Sequence, residues 1–157
     1  MTKKTSLITD QIIKRIREAG IKTKKNLGQN FLVNEGVYSK IVDIAEVGAN
    51  DTILEVGPGL GILTDKLAGS CKKLIAIEKD DRLAAYLSSR YEKQGNISII
   101  NDDVLTLDIT AAGLREGDYK IVGNIPYYLT SRLIRDIFEK WPKPKSIIFM
   151  LQKEVAQ

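Results

Sequence analysis

The sequence predicts an α/β fold in which a parallel sheet is covered by helices on both faces. Five short, nearly unbroken apolar runs carry that expectation: TILEV (52–56), KLIAI (73–77), ISII (97–100), YKIV (119–122) and SIIFML (146–151). They alternate with amphipathic stretches, and a strand buried on both faces reads as a continuous apolar run rather than an alternating one. The second observation concerns the residues just after each run: Glu55–Gly61, Glu78, Asp102/Asp103, Gly123–Tyr128 and Gln152–Glu154. In open α/β sheets ligands lie outside the carboxyl ends of the strands, so acids, glycines and an aromatic amide segment gather at the expected place.

The elements come in order along the chain. Residues 7–19 set Leu7, Ile8, Ile12, Ile13 and Ile16 at helical spacing among basic residues, and Gly20 is a plausible stop. KTKKNLGQNF then reads as an extended basic loop. A helix over 35–47 carries Val37, Ile41, Ile44 and Ala45 on its apolar side. Further helices are expected at about 60–68, 80–93 and 129–140, with a less regular link over 104–118. In the last helix Leu129, Leu133, Ile137 and Trp141 recur at i+4 and are assigned to the core.

Composition narrows the chemistry. A length of 157 residues, 43% hydrophobic and 28% charged, suits one domain with a real core. There is no His, which removes His-based acid–base catalysis, Ser/His triads and most zinc sites; no metal is expected. A single cysteine, Cys71, excludes an intrachain disulfide and fits a reducing compartment. No apolar run approaches a membrane span, and MTKKTSLITDQ lacks the apolar core of a signal peptide, so a cytoplasmic protein is expected. The net charge of +4 is uneven: residues 1–25 hold eight Lys/Arg against Asp10 and Glu18, which is +6 and leaves −2 for the rest. A basic arm on a near-neutral body suggests a polyanion partner. The division expected is a basic helix and arm over 1–25 and a ligand-binding body over 26–157.

ILEVGPGLG joins the first strand to its helix through Gly57, Gly59 and Gly61. A dinucleotide fingerprint would need glycine at 62, where Ile62 stands. Glu55 leads into the turn; a phosphate there would be repelled, while a cationic amino-acid group would be attracted. Glu78 can accept from both hydroxyls of a ribose, and Asp103 can accept from an adenine amino group. Alone, each acid would pass for a capping or surface residue. As a series after successive strands they resemble the S-adenosylmethionine pocket of class I methyltransferases.

GNIPYYLTS comes after the fourth strand. Asn124, Ile125, Pro126 and Tyr127 resemble the motif with which amino-methyltransferases grip a planar nitrogen. An exocyclic amine is a poor nucleophile because its lone pair is delocalised into the ring. Two acceptors, the Asn124 amide oxygen and the Ile125 carbonyl, would favour a pyramidal nitrogen. Pro126 fixes the backbone and Tyr127 offers a face for stacking.

NLGQNFL (26–32), LEVGPGLGILT, IAIEKD, DDVL, GNIPYYLTS and MLQKEVA together resemble the ribosomal RNA adenine dimethyltransferase family. The resemblance runs from about Lys24 to the last residue. It implies a Rossmann-like class I fold, with sheet order 3-2-1-4-5 for the five strands present. It also implies dimethylation at N6 of two adjacent adenines near the 3′ end of small-subunit rRNA. Carried over, the S-adenosylmethionine contacts fall on Asn30, Leu32, Gly57, Glu78, Asp103 and Asn124. The partner is rRNA of the small subunit or its precursor, and a monomer is expected. The family's catalytic domain continues past the QKEVA segment with two further strands and a helical domain, so this chain is expected to be incomplete, with one sheet edge unpaired. Adenine N6 must be single-stranded or flipped to reach such a pocket. Phosphate contacts are expected from the N-terminal Lys/Arg cluster and from Arg132, Arg135, Lys143 and Lys145. Three alternatives remain: the erythromycin-resistance methyltransferases of large-subunit rRNA, a protein-glutamine methyltransferase, and a pre-rRNA-binding assembly factor without catalysis. Ile125 in the position of a second proline, together with GQNFL, argues against the glutamine enzyme.

Overall fold

A computed structural model of the chain describes residues 3–21 and 35–151, with the backbone alone at residues 3–7, 35 and 127. Five strands form one sheet: β1 (Thr52–Val56), β2 (Lys73–Glu78), β3 (Ile97–Asn101), β4 (Tyr119–Asn124) and β5 (Ser146–Met150). All pairings are parallel, in the order β3-β2-β1-β4-β5, as expected. The chain order reverses beside β1, whose neighbours are β2 and β4, so the crevice for a ligand opens above those three strand ends.

Helices α1 (Lys3–Glu18), α2 (Glu35–Ala45), α3 (Ile62–Ala68), α4 (Asp81–Tyr91) and α5 (Tyr127–Glu139) cover the sheet. Alternate strand residues feed two cores. Ile53, Leu74 and Val122 join Ile8 and Ile12 of α1, Tyr38 and Ile41 of α2 and Leu67 of α3 on one face. Leu54, Ile75, Tyr119 and Ile121 join Leu133 and Ile137 of α5 on the other, with Leu129 and Trp141 packed at its margin. Each fully buried Leu or Ile contributes roughly 1.5–3 kcal/mol. Helix α1 therefore belongs to the main core through its apolar stripe, while Lys14 and Arg17 stay exposed.

Helix ends are set by different devices. Asp80 caps α4, its carboxylate accepting from Arg82 N at 2.9 Å and Leu83 N at 3.2 Å. Helix α5 begins at Tyr127, two residues before the apolar periodicity starts, because Pro126 (φ −58°, ψ 141°) is the last extended residue and the helix can form directly behind it. Helix α2 ends without a glycine. Glu46 takes a left-handed φ of 45°, and Lys120 of β4 donates to Ala45 O at 3.0 Å and Glu46 O at 2.7 Å while pairing with Asp51 at 2.9 Å. Among the described residues no helix is long and apolar enough to cross a membrane.

At Gly123, next to the end of β4 and paired with Val56 of β1 and Phe149 of β5, a Cβ would fall 2.8 Å from both Val56 O and Ile125 Cδ1. The Ile125 methyl can turn aside, but the Val56 carbonyl is backbone and cannot give way without disturbing the sheet. The Gly123→Ala variant is expected to lose about 1–3 kcal/mol in urea unfolding; a midpoint equal to wild type would show that the strand end tolerates a methyl group.

Candidate active site

The site begins with the turn from β1 into α3. Gly57 has φ 67° and Gly61 φ 76°, both in the left-handed region. At Gly61 a Cβ would also meet Tyr91 Oη at 2.6 Å and Leu87 Cδ2 at 2.9 Å, so the approach of α4 forbids a side chain there. The turn is fastened along its length. Gly57 N donates to Ile77 O (3.0 Å), Gly59 N to Glu78 Oε2 (3.1 Å) and Gly61 N to Pro58 O (3.0 Å). Tyr91 donates its hydroxyl to Gly61 O at 2.9 Å, and Arg15 Nη1 donates to Leu60 O at 2.8 Å.

Above the turn lies a cavity of about 1090 Å³, and Gly57, Glu78, Asp103, Asn124, Ile125 and Pro126 all border it. Asn30 and Leu32, with the rest of GQNFL and the QKEVA segment, lie outside the described residues, as does the Tyr127 side chain. Tyr128, 64% exposed, is a wall residue and falls in the Gly123–Tyr128 segment that the sequence placed at this end of the sheet. Ile12, Tyr38 and Lys79 are among the wall residues that the sequence did not single out as such. Ile12 and Tyr38 could not have been found, because their place depends on how α1 and α2 dock.

The acids differ sharply. Glu55 is 1% exposed and borders the cavity, yet its Oε2 has no hydrogen-bond partner among the described residues; the same holds for Thr64 Oγ1. Burial pushes the Glu55 carboxyl up to about 8, the nearby Thr64 hydroxyl offsetting part of this and the charges of Glu78 and Asp65 adding to it. The sequence led us to expect a ready carboxylate; without a cation beside it, the group is mostly protonated at neutral pH. Burial also raises the Glu78 carboxyl, against the opposing effect of the Asp80 N–H at 2.9 Å and the Gly59 N–H. At Asp103 burial is outweighed by the Lys79 ammonium at 2.7 Å and by Leu105 N at 3.0 Å, which hold the carboxylate below its usual range. Both Asp103 oxygens thus already have partners.

Asn124 ends β4 opposite Met150, half-buried, and its amide makes no hydrogen bond among the described residues. Ile125 uses its N–H on Met150 O at 3.2 Å and its side chain in the core, which leaves the carbonyl as its remaining polar group. Thr130 Oγ1 donates to Pro126 O at 3.2 Å, tying the segment to the first turn of α5.

The basic cluster needs one correction. Arg15, counted in the phosphate-binding arm, is 7% exposed and ion-paired with Asp65, so it offers nothing to solvent. Its apolar neighbours Ile12 and Ile16 face the core, and a buried guanidinium must be paired to be tolerated. Arg132 and Lys145 are exposed but have Asp136 at 4.0 Å and Asp51 at 3.9 Å respectively.

The family profile described as ribosomal RNA adenine dimethylase matches residues 20–157. A ribosomal RNA small subunit methyltransferase A from Dehalococcoides mccartyi is 40% identical over 137 residues, which is 87% of this chain and 47% of that protein. Among solved structures, a dimethyladenosine transferase from Plasmodium falciparum superposes with TM-score 0.67 at 31% identity, covering 78% of this chain and 43% of that one. The 23S rRNA methyltransferase ErmE does so with TM-score 0.69 at 32% identity, covering 81% and 50%. The chain spans about half the length of the curated relatives it matches.

The buried Glu55 carboxyl has a direct consequence for stability. Its proton affinity is raised in the folded state, so the fold binds more protons than the unfolded chain between about pH 4.5 and 8. Stability therefore falls as pH rises through that window, by an amount on the order of a few kcal/mol, and levels off above it. Replacing Glu55 with Gln should flatten this part of a urea-unfolding series recorded from pH 5 to 8.5; an unchanged slope would place the titrating group elsewhere.

Proposed function

The chain belongs to the ribosomal RNA adenine dimethylase family, and from that premise we propose that it methylates N6 of adenines in small-subunit rRNA, using S-adenosylmethionine. The target proposed is the pair of adjacent adenines near the 3′ end, each methylated twice. Its fold is that of the class I methyltransferases, as expected from the sequence, with sheet order 3-2-1-4-5 and helices on both faces. The observation that supports the activity best is that the glycine turn, the acids Glu55, Glu78 and Asp103, and Asn124, Ile125 and Pro126 border one cavity.

The residues suit S-adenosylmethionine. Glu55 Oε2 is a buried acceptor in want of a partner, and the ammonium of an amino acid would supply one while displacing the proton. Glu78 accepts one backbone N–H on each oxygen and retains lone pairs for ribose hydroxyls. Gly57 leaves the loop open to close approach, and Asp103 can share its oxygens with an adenine amino group if Lys79, which is exposed, moves aside. The cavity is large enough for a nucleoside with an amino-acid tail and a second base. Asn30 and Leu32 complete the proposed set.

Held by Glu55, Glu78 and Asp103, S-adenosylmethionine would supply an electrophilic methyl on a sulfonium with a neutral thioether as leaving group, and the proton lost from the amine would go to water. The chain's part is orientation. The Asn124 amide oxygen and the Ile125 carbonyl accept from the adenine NH2 and draw its lone pair out of the ring plane. Pro126 and the Thr130 hydroxyl hold that backbone still, and Tyr127, with Tyr128 beside it, offers a ring face to the base. Proximity and alignment then account for most of the rate, and no strong base is required.

We assign RNA phosphate contacts to the exposed Lys14 and Arg17 of the basic arm, the body over 26–157 holding the cofactor and target base. The acting form is proposed to be a monomer in the cytoplasm. A second reading has one specific support: likeness to ErmE, a 23S rRNA enzyme, is as close in structure as likeness to the dimethyladenosine transferase. The curated relatives named for the small subunit, at 39–40% identity, favour the first.

The Asn124→Ala variant should lose at least about a hundredfold in methyl incorporation into immature small subunits while binding rRNA as wild type does. Indifference of methylation to this change would favour a binding factor, and label mapping to large-subunit rRNA would favour the second reading. Affinity for rRNA should fall steeply with salt, and Lys14→Gln with Arg17→Gln should lower the log–log slope by about two; an unaltered slope would move the phosphate contacts to another face.

A further inference from the structure

Most fastenings of the glycine turn come from its own strands and from α4, which any fold of this kind places nearby. One does not. Arg15 reaches from α1, 45 residues upstream in sequence, and donates Nη1 to the carbonyl of Leu60 in the middle of the turn. Its other arm is ion-paired with Asp65 in the first turn of α3. Asp65 in turn accepts from Arg90 Nη2 at 3.2 Å, and the single Tyr91 hydroxyl proton is shared between Asp65 Oδ1 at 2.6 Å and Gly61 O at 2.9 Å. The result is a polar cluster of Arg15, Asp65, Arg90 and Tyr91 that bonds the turn without itself lining the cavity. Ile12, three residues before Arg15, borders the cavity itself.

A buried guanidinium is costly to keep, and anchoring α1 would be done at less cost by another isoleucine on its stripe. What an apolar residue cannot do is hold a loop carbonyl. Leu60 O precedes α3 and has no other hydrogen-bond donor among the described residues; the Gly61 N–H of the same peptide bonds Pro58 O within the turn, so among the described residues Arg15 is what ties this peptide to an element outside the turn. Gly57, Pro58, Gly59 and Leu60 itself all border the cavity.

We propose that Arg15 is a positioning residue for the ligand: through Leu60 O and Asp65 it holds the glycine turn in the shape that receives S-adenosylmethionine. The inference rests on the cofactor reading above. A buried, charge-assisted bond of this kind separates the binding shape of the turn from looser ones, and its loss lowers affinity without removing any group that touches the ligand. Helix α1 thereby becomes part of the cofactor apparatus as well as of the RNA-facing surface.

Calorimetric titration of the chain with S-adenosylhomocysteine tests this, alongside thermal unfolding. Arg15→Met keeps the length and apolar stem but removes the donors, and is expected to weaken binding about tenfold. Ile8→Ala loosens the packing of α1 in the same core without touching the turn, and serves as the control. It should lower the melting temperature while staying within about twofold of wild-type affinity. Arg15→Lys retains a charge for Asp65 but cannot span both acceptors; it is expected to lose about fivefold and decides the matter if the Met variant does not fold. Wild-type affinity in the Arg15 variants, or an equal loss in Ile8→Ala, overturns the positioning role. A wild-type chain that takes no S-adenosylhomocysteine sinks the cofactor reading and this inference with it, whereas binding by wild type beside indifferent Arg15 variants removes the inference alone.

Discussion

The turn between β1 and α3 is the constraint on which the rest of the structure depends. It must carry the chain over the end of the sheet with almost no side chain above it, because the space above is the cavity. Yet every polar backbone group in it needs a partner below. Glu78 at the tip of β2 meets Gly59, the carbonyl of Ile77 meets Gly57, Tyr91 meets Gly61 and Arg15 meets Leu60. Elements far apart in sequence are thus drawn to one point. The sheet order that sets β2 beside β1, and the packing of α1 and α4 on one face, answer the same requirement.

The site is at odds with stability in a specific way. Glu55 is a fully buried acid whose Oε2 has no partner among the described residues, and Asn124 ends a core strand with a half-buried amide that borders the cavity. An apolar residue in place of Glu55 would give a more stable protein. The presence of acid and amide makes sense as unfilled capacity: polar groups fixed in a low-dielectric wall before anything arrives, so that little reorganisation is needed when it does. Asp103 is the contrast, since Lys79 already occupies it and a ligand there must displace an exposed ammonium.

Much of this is legible in the residues. The strand ends fall within about two residues of those expected because both faces of the sheet are covered, and a doubly buried strand has a continuous apolar signal. Parallel order is legible for the same reason. The start of α5 is not, because it is fixed by the backbone of Pro126, which periodicity does not register. Arg15 looks solvent-facing in sequence because a charge count carries no information about a partner 50 positions away. The protonation of Glu55 depends on depth, which no single strand sequence reveals. Tyr38 and Ile12 are invisible as cavity walls, since two helices have to dock before either can face it.

Lys120 carries one more implication. A helix normally closes its last turn with groups from its own neighbourhood, a glycine or a nearby side chain. Here the carbonyls of Ala45 and Glu46 are closed by an ammonium 75 and 74 positions further on, anchored in the middle of the sheet. The terminus of α2 therefore cannot be finished by local chain collapse. It waits for β4 to take its place against β1, and the left-handed Glu46 is held only from then on. In order of assembly, the roof over this end of the molecule is pinned only once the beam beneath it is in place.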